Sequence, residues 1–172
     1  VRDLVSFLRY SDNLGNPCAG DIQHTMAFGS SQSGRFLRHM LYLAMNQDEE
    51  DRKVFDGIIA NIAGAMRGEF NQRFGQPSNL LAASPGSVFP FADVGQTDPE
   101  TGRTDGLMRR LAAKGKVPKV MNINTPSEYW GGHGSLLHTD LTAARDLDLL
   151  GSVRIYMVGG AQHANGSLPL TD

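Results

Sequence analysis

The sequence predicts an α/β fold with a mostly parallel sheet and flanking helices. Short apolar runs typical of buried strands alternate along the chain with segments whose apolar residues recur at helical spacing. The chain has 172 residues, of which 40% are hydrophobic and 20% charged, values typical of one globular domain spanning 1–172. Strands that alternate with helices pair in parallel, so their carboxyl ends should meet at one edge of the sheet.

The predicted elements begin with a helix and continue as alternating strands and helices. In chain order they are helix 1–10, strand 22–28, helix 34–46, strand 55–62, helix 107–114, strand 119–124, helix 141–149 and strand 153–158. A glycine-rich loop is expected from residue 125 through residue 134. Residues 64–106 show no sustained period, and we expect them to form a lid-like insertion that covers the site.

A turn of small residues, Gly29-Ser30-Ser31-Gln32-Ser33-Gly34, separates the first predicted strand from the helix that follows it. This placement is typical of a nucleophile elbow, in which a serine stands on a sharp strand-to-helix turn between small residues. Ser31 fits the pattern, whereas centring it on Ser33 would place Arg35 where a small residue must pack. The backbone N–H of Gln32 would then point at the reacting oxygen and stabilise its charge.

A nucleophilic serine needs a histidine base and an acid that orients the histidine. Glu128 comes just after the third predicted strand and His163 just after the fourth, in the order serine, acid, histidine that accompanies such an elbow. We therefore expect Ser31, Glu128 and His163 to converge at the carboxyl edge of the sheet. Asp140 and Asp105 compete with Glu128 for the role of the acid.

The stretch from Phe28 to Arg38 resembles the G-x-S-Q-S-G-R-F-L-R signature of a bacterial family of α/β-hydrolase domain proteins. The resemblance runs over nearly the whole chain. It extends to the segments Phe70-Asn71-Gln72-Arg73-Phe74, Gln96-Thr97-Asp98-Pro99, Thr101-Gly102-Arg103-Thr104-Asp105-Gly106 and Ser127-Glu128-Tyr129-Trp130. It implies an α/β-hydrolase-like fold, and it assigns Ser31 the role of nucleophile in a serine esterase-like site.

Proteins of the α/β-hydrolase class usually begin with several strands before the elbow strand, whereas one helix and a loop precede it here. The resemblance therefore corresponds to the C-terminal portion of such a domain, and we expect the N-terminal strands to be lacking. The second oxyanion donor comes from a loop after an early strand in such folds, so only Gln32 can be assigned. The elbow strand would lie at an exposed sheet edge through which two copies could associate.

These residues predict hydrolysis of a small-molecule carboxylic ester through a Ser31, Glu128 and His163 triad and an acyl-enzyme, with no cofactor. Activity should rise with pH as the histidine loses its proton. Tyr129 and Trp130 could line the substrate pocket, although core packing suits them equally well. The alternatives are an amidase or peptidase with the same triad, and a non-catalytic binding module or incomplete fragment of hydrolase fold.

Charge and composition argue against several other functions. The formal charge of −2 comes from 16 basic and 18 acidic residues without a basic stripe, so no nucleic-acid partner is expected. The longest uncharged stretch, 75–92, contains prolines and is not expected to span a membrane. The spacing of His133 and His138 suits no helical metal pair, so no metal site is expected. Arg35 and Arg38 could bind an anionic substrate or pair with surface carboxylates.

Overall fold

The protein is built on a sheet of parallel strands, seen in a computed structural model that describes residues 1–68, 70, 73 and 89–163. The strands are β1 Met26–Ser30, β2 Gly57–Asn61, β3 Gln96–Thr97, β4 Thr104–Asp105, β5 Lys119–Asn124 and β6 Val153–Met157. The helices are α1 Arg2–Tyr10, α2 Gln32–Tyr42, α3 Arg109–Ala113 and α4 Pro126–Gly131, with a 3-10 turn at Gly134–Leu137. The main sheet has the order β1-β2-β5-β6, and β3 and β4 form a separate antiparallel pair. The predicted α/β class with a mostly parallel sheet is confirmed.

The hydrophobic core fills the space between the main sheet, α2 and α3. Its most deeply buried side chains come from different parts of the chain and pack into one cluster: Leu41, Val54, Ile58, Leu107, Met108, Leu111 and Val153. Because α2 starts directly after β1 and packs on β1 and β2, the turn between them is held at the carboxyl edge of the sheet. The core therefore positions the predicted elbow where the other strands also end.

Helix α1 is attached to the domain mainly through polar contacts. The Ser6 hydroxyl donates to the Asp48 carboxylate at 2.5 Å, and Arg9 pairs with Asp56 at 2.9 Å. Leu4 and Phe7 on the same helix are 61% and 39% exposed, so its apolar face is only partly used by the core. Within the described residues, no helix combines the length and apolar character needed to cross a bilayer.

Strand β1 lies at one edge of the main sheet, beside β2, and α1 is the only regular element that precedes it in the described residues. Met26 and Phe28 on this edge strand are 64% and 68% exposed. An unpaired strand edge that carries exposed apolar side chains can pair with another chain. Association through this edge stays a prediction.

The predicted helix at 141–149 is wrong. Residues 141–145 form turns and bends, an isolated bridge joins Thr139 to Asp146, and residues 147–149 have no regular structure. The Asp140 carboxylate accepts hydrogen bonds from the backbone N–H groups of Thr142 and Ala144, at 3.1 and 2.9 Å. Side-chain acceptors that capture nearby N–H groups compete with helix formation, and the positive φ of Ala143, 55°, interrupts any continuous helix.

The loop expected from residue 125 through 134 is also wrong in part, because α4 occupies Pro126–Gly131. The helix begins with a capping box: the Thr125 side chain accepts a hydrogen bond from a backbone N–H of the first turn, and the Glu128 side chain accepts one from the Thr125 N–H. Pro126 at the first helical position also favours the start of a helix. This pattern of threonine, proline and glutamate is present in the sequence and indicates the start of a helix at Pro126.

The remaining elements differ from the predictions chiefly at their ends. Strand β1 begins at Met26 instead of residue 22 and continues through Gly29 and Ser30, which pair with β2 up to the elbow. Helix α2 ends at Tyr42 because Ala44, with a φ of 59°, leaves the helical conformation. The predicted strand 119–124 matches β5 at both ends.

The predicted insertion at 64–106 is only partly described. It contains the pairing of β3 with β4 and a buried segment that includes Phe89, Phe91 and Asp93. Residues 69, 71–72 and 74–88 lie outside the described residues. Its function as a lid stays a prediction.

Candidate active site

Ser31 occupies the turn between β1 and α2 in a rare backbone conformation. Its φ of 54° and ψ of −117° are unfavourable for a residue with a side chain. The conformation is held by two backbone hydrogen bonds, from Ser31 N–H to the Asn61 carbonyl at 2.9 Å and from Arg35 N–H to the Ser31 carbonyl at 3.0 Å. The strained serine between strand and helix is the geometry of a nucleophile elbow.

The small residues around Ser31 are required by close backbone packing. A Cβ atom at Gly29 would lie 2.5 Å from the Ser33 carbonyl oxygen, and one at Gly34 would lie 2.9 Å from both the Ala63 Cβ and the Gly29 carbonyl oxygen. Ser33 is exposed and has room for its side chain. This explains why glycine stands at positions 29 and 34, whereas position 33 carries a serine.

The side chains of Ser31, His163 and Glu128 form a continuous hydrogen-bonded chain. Ser31 Oγ lies 2.9 Å from His163 Nε2, and His163 Nδ1 lies 2.6 Å from Glu128 Oε1. The three residues follow β1, β6 and β5 respectively, so the parallel sheet brings together groups that are distant in sequence. Because a carboxylate can only accept, Nδ1 donates to Glu128, which leaves Nε2 as the acceptor for the serine proton.

The buried carboxylate of Glu128 accepts three hydrogen bonds, two from Thr125 and one from His163. It is 5% exposed, and its Oε2 accepts from the backbone N–H of Thr125 at 2.9 Å and from the Thr125 hydroxyl at 2.6 Å. Burial raises the pKa of a carboxyl group, but the hydrogen bonds from Thr125 and His163 outweigh it and hold the pKa of Glu128 below its ordinary value. The acid is therefore ionised at neutral pH and can stabilise a charged imidazole.

Gln32 follows Ser31 as the first residue of α2. The first N–H groups of a helix point out of its N-terminus, where the helix dipole favours negative charge. The side chain of His163, whose Nε2 lies 2.9 Å from Ser31 Oγ, is 49% exposed. Ser31 therefore lies between a partly exposed imidazole that it contacts and the first residue of a helix.

The two competing acids lie in other hydrogen-bond networks. Asp140 caps the turn described above and pairs with Arg145 at 3.2 Å. Asp105 accepts from Arg103 at 2.8 Å and from the Tyr42 hydroxyl at 3.0 Å. Among the described residues, Glu128 is the carboxylate that the structure places on the imidazole of His163.

The rings of Tyr129 and Trp130 pack edge to face with centroids 5.2 Å apart, but the two side chains have different surroundings. Trp130 is 80% exposed, whereas the Tyr129 hydroxyl lies 3.2 Å from His138 Nε2. Tyr129 and His138 line a cavity of about 400 Å³ beside β6, where Ile155 and Met157 also contribute. Their predicted contact with substrate stays a prediction.

Arg38 has a structural role in place of the suggested contact with an anionic substrate. It is fully buried, and its guanidinium donates to the Ala65 carbonyl at 3.0 Å, the Phe91 carbonyl at 2.5 Å and the Asn122 side chain at 3.2 Å. These bonds join α2 to β5 and to the segment around Phe91. Within the described part of the chain, no group of three or more His, Cys, Asp or Glu side chains is arranged to hold a metal ion.

The chain matches the alpha/beta hydrolase domain family over residues 1–171 and therefore belongs to that family. This match confirms the α/β-hydrolase class that the sequence resemblance implied, and it suggests a hydrolase activity. Comparison with curated proteins and with solved structures gives no significant match.

Proposed function

We propose that this alpha/beta hydrolase domain is a serine hydrolase that cleaves small-molecule carboxylic esters, with Ser31 as nucleophile, His163 as base and Glu128 as acid. The hydrogen-bonded chain from Ser31 Oγ through His163 to Glu128 carries the proposal. The strained conformation of Ser31 at the start of α2 supports it, since strain of this kind clusters at functional sites.

In the proposed reaction, His163 Nε2 takes the proton of Ser31 Oγ as this oxygen attacks the ester carbonyl carbon. Glu128 stabilises the resulting imidazolium. The imidazolium then returns its proton to the departing alcohol, which leaves an acyl group on Ser31. A water molecule, deprotonated by His163, attacks the acyl carbonyl, releases the carboxylic acid and restores the serine.

The backbone N–H of Gln32 is proposed to stabilise the oxyanion of each tetrahedral intermediate. A second donor commonly comes from a loop after an early strand, and losing one donor costs about 3 to 4 kcal/mol in the barrier. If the domain acts with Gln32 alone, turnover is expected to be roughly a hundredfold to thousandfold below that of a site with two donors.

The proposal is tested by treating the folded protein with a fluorophosphonate and measuring its intact mass. Ser31→Ala and Ser33→Ala are treated in parallel, and circular dichroism establishes that each variant is folded. A single adduct that is lost only in Ser31→Ala is the expected result. Absence of an adduct on the folded wild-type protein would refute an activated serine and favour a non-catalytic module or an incomplete domain.

Substrate class is tested next by comparing a p-nitrophenyl ester with the corresponding anilide. An amide needs protonation of an amine leaving group, which makes it the harder substrate for the same triad. We expect turnover of the ester and much slower turnover of the anilide. Comparable rates would point to an amidase or peptidase.

A further inference from the structure

The two carboxylate oxygens of Glu128 have different partners. Oε1 lies 2.6 Å from His163 Nδ1, whereas Oε2 accepts two hydrogen bonds from Thr125, at 2.9 Å from its N–H and 2.6 Å from its hydroxyl. The same carboxylate therefore belongs both to the chain that reaches Ser31 and to the cap of α4.

Thr125 is the N-cap residue of α4 and is held firmly in place. It is 2% exposed, its backbone is extended, and its hydroxyl oxygen also accepts from the Ser127 N–H at 3.3 Å. Pro126 at the first helical position restricts the backbone further. Because every group that touches Oε2 is fixed in this way, the helix cap determines where the carboxylate lies.

We propose that Thr125 is a positioning residue for the proposed reaction: its hydroxyl holds Oε2 of Glu128 so that Oε1 faces His163 Nδ1. This inference rests on the proposed function of Ser31 and His163. In the described residues, Thr125 has no hydrogen bond to Ser31 or His163, so its hydroxyl acts on His163 through Glu128.

A glutamate side chain loses considerable rotational freedom when it is fixed, and a site works only if its groups are held close to the productive geometry. The capping box needs a glutamate or glutamine at the third helical position, because this side chain is long enough to reach back to the N-cap. The cap of α4 thus holds the Glu128 carboxylate in place while His163 is still neutral.

A double-mutant cycle tests the proposal. The variants are Thr125→Val, Thr125→Ser, Glu128→Gln and the double variant Thr125→Val/Glu128→Gln. Thr139→Val is the matched control, because it removes a hydroxyl that donates to the Ser135 carbonyl at 3.1 Å instead of to Glu128. Each protein is assayed for the rate of fluorophosphonate labelling and for kcat and KM on p-nitrophenyl acetate.

We expect Thr125→Val to slow labelling and kcat roughly tenfold with KM unchanged, since a hydrogen bond to a charged group is lost. Thr125→Ser and Thr139→Val should stay near the wild type. In the Glu128→Gln background, adding Thr125→Val should cause little further loss, because residues that act through one another are not additive. An equal loss in both backgrounds, or a serine variant as slow as the valine variant, would show a structural effect only.

A readout that needs no turnover separates this proposal from the proposed function. The Nδ1–H proton of His163, identified by its change in Glu128→Gln, is followed by proton NMR. It should persist in Thr125→Ser and be weakened or broadened in Thr125→Val. If the wild type neither labels nor turns over but the resonance follows the Thr125 hydroxyl, the proposed function fails and the positioning role stands. An unchanged resonance in Thr125→Val would overturn the positioning role.

Discussion

Two histidines of this domain make the same kinds of hydrogen bond in different surroundings. His163 joins Glu128 at Nδ1 to the Ser31 hydroxyl at Nε2, and His138 joins Asp146 at Nδ1 to the Tyr129 hydroxyl at Nε2. The contacts are 2.6 and 2.9 Å for His163, and 3.0 and 3.2 Å for His138. Judged by their hydrogen bonds alone, both chains of acid, histidine and hydroxyl would be candidate catalytic triads.

The surroundings separate the two chains. The Glu128 side chain is 5% exposed, whereas that of Asp146 is 83% exposed and screened by water. Ser31 stands on a strained turn at the start of α2, whereas Tyr129 lies inside α4 with its ring stacked on the imidazole. From this difference we expect nucleophilic chemistry at the chain whose acid is buried and whose hydroxyl stands on a strained turn, and none at the chain whose acid is exposed.

The largest expected effect comes from removing the Ser31 hydroxyl, with removal of the Tyr129 hydroxyl as the comparison. Ser31→Ala should abolish turnover of p-nitrophenyl acetate to the level of the uncatalysed reaction, because no nucleophile remains. Tyr129→Phe should keep turnover within about twofold of the wild type, since its hydroxyl bonds to the other histidine. Steady-state assays at neutral pH measure both. A Tyr129→Phe variant as inactive as Ser31→Ala would break the comparison.

The next largest effect is expected from neutralising Glu128, with neutralisation of Asp146 as the comparison. Glu128→Gln should lower kcat/KM roughly thousandfold, because a neutral amide cannot stabilise the imidazolium and also disturbs the histidine tautomer. Asp146→Asn should change kcat/KM by less than about twofold, as expected for a solvent-exposed pair. Comparable losses in the two variants would mean that the buried carboxylate is not the distinguishing feature.

Backbone packing under the elbow gives a smaller effect on stability. Gly34→Ala should lower the free energy of unfolding by about 1 to 3 kcal/mol, because its Cβ would lie 2.9 Å from the Ala63 Cβ. Gly131→Ala at the end of α4 is the control, since its Cβ would meet no atom within 4 Å. Urea denaturation followed by circular dichroism measures both. Equal stability of Gly34→Ala and wild type would contradict the packing argument.

The smallest expected effect is the dependence of stability on pH. The pKa of Glu128 is lower in the folded protein than its ordinary value of 4.5, so its contribution to stability is present above pH 4.5. It is lost as the pH falls through the folded pKa, where the carboxylate takes up a proton. The difference in unfolding free energy between wild type and Glu128→Gln should therefore shrink from pH 6 to pH 3.

Asp146→Asn controls this experiment for the loss of one negative charge at an exposed position. Urea unfolding at several pH values measures the three proteins. A difference between wild type and Glu128→Gln that stays constant from pH 6 to pH 3 would argue against the stabilised carboxylate.

The sequence by itself predicted the α/β class, the strand 119–124 and the position of the turn between β1 and α2. These features depend on local rules: alternating apolar runs define strands, and Gly29 and Gly34 leave no room for a side chain beside the turn. The same rules placed Glu128 and His163 after strands, and so near one edge of the sheet.

Only the tertiary structure decided which acid lies on His163. In the sequence, Asp140 and Asp105 compete with Glu128 for this role. The distance from Glu128 to His163 depends on the local cap of α4 and on the pairing of β5 with β6, which joins residues far apart in the chain. The predicted helix at 141–149 failed for a local reason instead, because Asp140 captures backbone N–H groups that a helix would need. Local sequence patterns determine where along the chain a functional side chain can lie, whereas long-range packing determines which of these side chains contact each other.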